Sequence, residues 1–208
     1  MPGAPDAPRL RALLVAALAA TGTLTAQAAP LTVTVSDYTG KPLADAVVAV
    51  LVKGARTTAA PGASAQISQK DRQFHAQITA IQTGTPVLFP NFDTVRHHVY
   101  SFSPIQKFEL KLYAGTPAAP VVFDKPGVAV LGCNIHDRMS AWVVVVDTPV
   151  FAKTDAAGHA TLEVPPGDHL LRSWHAQLPD PMGFIDQPLK MGNAAMPVGV
   201  TLALAPPT

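Results

Sequence analysis

From Leu31 the chain alternates apolar and polar positions with a period of two, Leu31-Thr-Val-Thr-Val35, as expected of a strand with one buried face. A turn cluster, Ser36-Asp-Tyr-Thr-Gly-Lys-Pro42, precedes the apolar run 46–52, and together these predict a hairpin. Residues 53–70 are small and polar without a period and read as a loop or linker. Alternation resumes from Phe74 through Ala76, Ile78 and Ala80, Gly84 marks a turn, and 86–90 is a short apolar strand. Further strands are predicted at 95–102, 108–113, 121–124, 128–133 and 139–146, each bounded by Pro, Gly, Asn or Asp. Past Pro149, turns at Asp155 to Gly158 and Pro165 to Gly167 separate strands at 159–164 and 169–175. A Pro/Met-rich stretch, 179–197, leads to a last alternating strand carrying Val198, Val200, Leu202 and Leu204. So many short strands between turn residues imply an all-β sandwich or barrel.

The first 28 residues follow a different logic. Arg9 and Arg11 precede a short apolar run, 12–20, and a polar stretch ending Ala26-Gln27-Ala28, the small-x-small pattern of an export signal cleaved after Ala28. The alternative is an uncleaved membrane anchor, against which the run is far shorter than the roughly 20 residues needed to cross a bilayer. Loss of the segment would leave basic and acidic residues balanced, which implies a neutral, soluble, exported or periplasmic protein, expected to be monomeric. The whole chain, 208 residues with 48% apolar and 14% charged positions, can bury a sizeable core, and its net charge of +1 offers no footprint for nucleic acid or an acidic membrane face. Cys133 is the single cysteine, which excludes a disulfide framework, a four-cysteine zinc site and a Cys-x-x-Cys-His haem attachment.

Candidate chemistry concentrates in residues 89–146. Cys133-Asn-Ile-His136-Asp-Arg-Met139 spaces a thiolate, an imidazole and a thioether along one loop between two predicted strands, so that all three can turn toward one metal. A second imidazole comes from His97 or His98, at the start of a strand that can lie beside the Cys133 strand; alternation turns the two to opposite faces, so one of them can be a ligand. Two nitrogens, a thiolate and a weak thioether select copper in an electron-transfer site, whereas zinc prefers four firm donors. The plainer reading of each residue alone is packing: a buried cysteine, a polar loop histidine, a gap-filling methionine. Cys133 with His136 could also be a nucleophile and its base, but only Asp137 offers an orienting carboxylate nearby. Met182, Met191 and Met196, with His169 and His175, read either as a second Cu(I) surface or as packing. Trp174-His175 reads as a structural corner.

These residues resemble the cupredoxins, the blue-copper proteins. Phe89-Pro-Asn-Phe-Asp93, His97-x-Val99, Val130-Leu-Gly-Cys133 and Cys-x-x-His-x-x-Met look like the plastocyanin and amicyanin group, and the surrounding words like plastocyanin-like exported proteins labelled for methylamine utilisation. The resemblance implies a Greek-key β-sandwich over 65–147, with one copper held by His97, Cys133 and His136 and axially by Met139. By it His97 is chosen over His98, His136 is the solvent-facing ligand, and Asn91 or a neighbour hydrogen-bonds near the sulfur. It also implies no enzymatic activity but single-electron exchange with redox partner proteins, a cytochrome or a dehydrogenase. Asn134, Asp137 and Arg138 depart from the family's apolar, proline-bearing loop, so a different partner surface is expected. Arg96 beside His97 favours the reduced metal by simple Coulomb reasoning, and Asp137 and Arg138 could pair. The flanks, 31–53 and 148–204, resemble a carboxypeptidase-regulatory-like, transthyretin or Ig-like β-sandwich into which the copper segment is inserted or to which it is joined. The rival arrangement is one enlarged sandwich. For the chemistry, the rivals to electron transfer are a copper carrier or chaperone and a metal-free binding module.

Overall fold

The structure, a computed structural model, describes residues 27–136 and 139–206. The export-signal reading therefore lies outside the described residues apart from Gln27 and Ala28, as does the expected Asp137–Arg138 pair. Seventeen strands and no helix occur among the described residues. In chain order they are β1 (Ala29–Asp37), β2 (Val47–Leu51), β3 (Ala65–Gln66), β4 (Ser68–Lys70), β5 (Gln73–His75), β6 (Ile78–Gln82), β7 (Thr85–Leu88), β8 (His97–Ser103) and β9 (Gln106–Tyr113). There follow β10 (Val121–Phe123), β11 (Gly127–Gly132), β12 (Ser140–Val146), β13 (Phe151–Lys153), β14 (His159–Val164), β15 (Gly167–Trp174), β16 (Ile185–Met191) and β17 (Met196–Leu202). The all-β expectation is met.

The strands of 29–51 and 151–202 form two sheets, ordered β14-β1-β17 and β13-β2-β15-β16. Alternation along β1 turns Leu31, Val33 and Val35 into a core shared with Val48, Val50, Leu171 and Trp174, all buried. Each such side chain contributes roughly 1.5–3 kcal/mol by leaving water. The strands of 65–146 form a five-stranded sheet, β6-β12-β11-β8-β9, facing a three-stranded one, β10-β7-β3, with β4 and β5 as a separate hairpin. Their core contains Phe89, Val99, Phe123, Leu131, Val143 and Val145. Strand β12 serves both cores. Val143 and Val145 point into the second, while Val144 and Val146 point into the first, and the Trp142 ring sits 5.6 Å from that of Trp174. That double burial explains why 141–146 is an unbroken apolar run and not an alternating one.

Three sequence expectations change. The runs at 31–35 and 46–52 are not a hairpin, because β1 and β2 lie in different sheets. The chain turns tightly after β1, with the Asp37 N–H donating to Lys41 O at 2.9 Å, returns to pair Leu43 N–H with Val35 O, and crosses over at Asp45, whose φ of 58° is left-handed. Next, the segment 53–70 contains β3 and β4, whose two- and three-residue lengths carry too little apolar pattern to read. Last, the Pro/Met-rich stretch contains β16, hidden by Pro188; β16 is an edge strand paired only to β15, and an edge tolerates proline.

Candidate metal centre

Strands β11 and β12 pair antiparallel with Gly132 opposite Ser140, so both ends of the 133–139 loop are fixed. Gly132 also pairs with Tyr100 of β8, which places the first residue of β8, His97, on the strand neighbouring Cys133. The loop closes on itself through a hydrogen bond from the Met139 N–H to His136 O at 2.9 Å. Sequence spacing is thereby converted into proximity. Cys133 Sγ lies 4.0 Å from His97 Nδ1 and 3.9 Å from His136 Nδ1, and the three donor atoms all fall within 4.8 Å of one another. The point equidistant from the three atoms is about 2.0–2.5 Å from each, close to the lengths of metal–sulfur and metal–imidazole bonds. Donor set and spacing thus fit one ion. Met139, 3% exposed, packs in the same apolar cluster as Cys133 and lines with it a groove of about 550 Å³ that also touches Tyr100 and Phe102.

The two histidines of β8 part company. Both are buried, at 0% and 5% exposure, beside a register irregularity in the β8–β9 pairing between His97 and Val99. His97 faces Cys133. The His98 ring instead meets Glu109 Oε1 through Nε2 at 2.8 Å. His97 and His136 differ in a way that matters chemically, since the first is wholly enclosed while the second is partly open to solvent.

The Asp93 carboxylate has no assigned role in the sequence reading, although it stands four residues before His97. Its Oδ2 lies 2.7 Å from His97 Nε2, which holds the ring with Nδ1 turned to the sulfur. The same carboxylate accepts the backbone N–H of Asp71 on Oδ1 at 2.7 Å and that of Arg72 on Oδ2 at 2.9 Å. Burial pushes its pKa up, but the bonds from Arg72, His97 and Asp71 outweigh burial and hold it below the usual carboxylate range. Asn91 ties the surrounding loop together. Its side-chain amide donates to Val95 O at 2.9 Å and Tyr113 O at 3.0 Å, and its Oδ1 accepts from the Asp93 N–H at 2.9 Å. The resemblance set Asn91 or a neighbour near the sulfur; the amide of Asn91 is spent on these backbone groups.

A second polar knot underlies the site. The Tyr113 hydroxyl donates to Phe89 O at 2.7 Å and accepts from Gln69 Nε2 at 2.7 Å, with Gln69 itself fully buried. Burial, and after it the neighbouring Cys133, push the phenol up to about 12 against the opposing bond from Gln69. It stays neutral at any working pH. The remaining candidates are scattered: Met191 and Met196 belong to the first core, Met182 is partly exposed, His169 Nε2 bonds to Pro165 O, and His175 Nδ1 accepts from the Gln177 N–H. Packing accounts for Met191 and Met196. The fully buried Trp174 donates its indole N–H to Pro181 O at 2.8 Å, as a structural corner would.

No helix among the described residues is long and apolar enough to cross a membrane. No protein-family model and no curated protein matches the chain. Solved structures do. A copper-containing nitrite reductase from Thermus scotoductus matches 42% of this chain at 23% identity and a TM-score of 0.37, and the match spans only 25% of that enzyme. Amicyanin from Paracoccus versutus matches 46% of this chain at 15% identity and a TM-score of 0.34, over 96% of its own length. A purple cupredoxin from Nitrosopumilus maritimus matches 39% of this chain at 25% identity and a TM-score of 0.35, over 98% of its own length.

Proposed function

We propose that this chain is an exported, mononuclear type 1 copper protein that passes single electrons between redox partner proteins and makes no substrate bonds of its own. His97, Cys133 and His136 would hold the ion, and the thioether of Met139 would be a weak further donor. The observation that carries this reading is the convergence of one thiolate and two imidazole nitrogens within 4.8 Å. A bound copper ion would supply the one-electron couple.

The protein's part is to keep the donors still. Strands β8, β11 and β12 hold the ends of the ligand segments, and Asp93 keeps the Nε2 proton of His97 on the side away from Cys133. A set of donors already in place needs little rearrangement when charge changes, which favours fast transfer. His136, partly open to solvent, is the proposed port for the electron. Exposed Phe92, Val95 and Ile135, in the two loops that carry the site residues, would give a partner an apolar rim to sit on.

The test is addition of one equivalent of Cu(II) to the protein, followed by visible absorption and EPR spectra, on the wild type and on Cys133→Ser. An intense thiolate-to-copper band with narrow copper hyperfine splitting, lost in Cys133→Ser while the fold persists, is the expected result. A weak, ordinary copper spectrum would overturn the reading in favour of a metal-free binding module. Ready surrender of the copper to a chelator in either redox state would favour a carrier.

A further inference from the structure

The hairpin of β4 and β5 sits outside the two large sheet pairs, yet it reaches the metal centre through a single carboxylate. Its turn is the residue pair Asp71-Arg72, between Lys70 and Gln73, which are register partners. Both residues are left-handed, with φ of 54° and 58°. Such a two-residue turn favours Asn-Gly, and a long branched side chain like that of Arg72 is a poor choice for it. Something outside the hairpin must hold the conformation. Adjacent left-handed residues present their N–H groups side by side, and the two groups land on the two oxygens of Asp93 at 2.7 and 2.9 Å. The Oδ2 atom that takes the Arg72 N–H is also the one 2.7 Å from His97 Nε2.

We propose that the β4–β5 turn is a positioning device for the metal centre: the N–H groups of Asp71 and Arg72 clamp the Asp93 carboxylate, and the clamped carboxylate fixes the ring of His97. The proposal rests on the reading of His97 as a ligand, but its central claim concerns the orientation of that ring in the metal-free protein. Asp93 and the turn are positioning residues, since neither touches the donor triangle. Without the clamp the carboxylate is free to rotate about its side chain, and the ring loses the partner that keeps Nδ1 unprotonated and aimed at Cys133. A ligand oriented by a carboxylate binds more tightly, and losing that partner typically lowers metal affinity about 10–100-fold.

The experiment uses the full chain, first without metal. Nitrogen-15 NMR reads the His97 tautomer and the exchange rates of the Asp71 and Arg72 amides. In the wild type the proton is expected on Nε2, and the two amides, although on an exposed turn, should exchange at least about tenfold more slowly than unbonded surface amides. Asp93→Asn should mix the His97 tautomers, and Asp93→Ala should abolish the amide protection as well. Asp71→Pro, which removes one donor and cannot adopt the left-handed conformation, should shift the His97 tautomer through Asp93. Asp71→Asn with Arg72→Gly, which keeps both donors in a turn suited to them, should leave it as in the wild type. In the copper-loaded protein Asp93→Asn and Asp71→Pro should each lower copper affinity, the first by about 10–100-fold. An unchanged tautomer in Asp93→Asn, or a wild-type tautomer and affinity in Asp71→Pro, would overturn the proposal. Failure of the wild type to bind copper would sink the proposed function instead, leaving the tautomer and exchange results to decide this one.

Discussion

Replacing Tyr113 by Phe isolates the polar knot beneath the site. The substitution removes one oxygen atom and leaves the ring. It deletes the donor to Phe89 O and the acceptor for Gln69 Nε2, both at 2.7 Å, and Gln69 is left with only a long 3.4 Å contact to Phe89 O. A buried polar group without a partner costs about 1–3 kcal/mol, and Phe89 O and the Gln69 amide would keep only that long contact to each other. Because Tyr113 is itself only half-buried and water can partly reach the gap, the expected loss is about 2–4 kcal/mol. Urea unfolding followed by fluorescence and circular dichroism measures it, at a pH well below the raised phenol pKa of about 12, where the hydroxyl carries its proton. The companion variant is Tyr113→Phe with Gln69→Leu. Removing both partners leaves fewer orphaned groups, so the double variant should be more stable than the sum of the two single losses, by about 1 kcal/mol or more. The copper spectrum should survive Tyr113→Phe, since the hydroxyl is not a donor to the triangle. A Tyr113→Phe protein within about 0.5 kcal/mol of the wild type would refute the reasoning, because an intact knot of neutral hydrogen bonds cannot be that cheap to cut.

Two further outcomes follow from the first core. Burial holds the pKa of His175 below 6.5, against weaker opposing effects from the Ala44 backbone and the Asp45 charge, so the unfolded chain takes up a proton at a higher pH than the native one. Stability from this group is therefore full above pH 6.5 and declines as pH falls below it, and the decline measured by urea unfolding at pH 7.5 and 5 should be shallower in His175→Gln; equal slopes would remove His175 as the cause. Gly158 has φ of +76°, and a Cβ there would lie 2.5 Å from Val35 O, beside the 2.8 Å bond from the Val35 N–H to Gly158 O. Gly158→Ala should lower stability by about 2–4 kcal/mol, seen as a reduced melting temperature, while a change below about 1 kcal/mol would mean that the turn relaxes freely.

Much of the fold is written in local pattern. Period-two alternation at β1, β9 and β14 marks strands with one buried face, and the apolar run of β12 marks a strand buried on two. Pattern does not say which strand pairs with which, since alternation describes the faces of a strand and not its edges. Hence β1 and β2, adjacent and both strongly apolar, were expected as a hairpin and instead lie in separate sheets, the crossover resting on a left-handed Asp45 that sequence alone does not announce. Strands of two or three residues such as β3 and β4, and an edge strand interrupted by Pro188, fall below what periodicity can detect.

The candidate site divides in the same way. By itself the sequence determined that Cys133, His136 and Met139 share one short loop, because their spacing is covalent, and that an imidazole from the 97–98 pair was available to join them. Only the tertiary structure decided which imidazole faces the sulfur, since that depends on how β8 lies against β11, with Gly132 opposite Tyr100. Only it joined Asp93 to His97 on one side and to the Asp71-Arg72 turn on the other. A hydrogen bond between residues 22 positions apart has no local signature; it exists because the β4–β5 turn and the loop before β8 meet at one carboxylate.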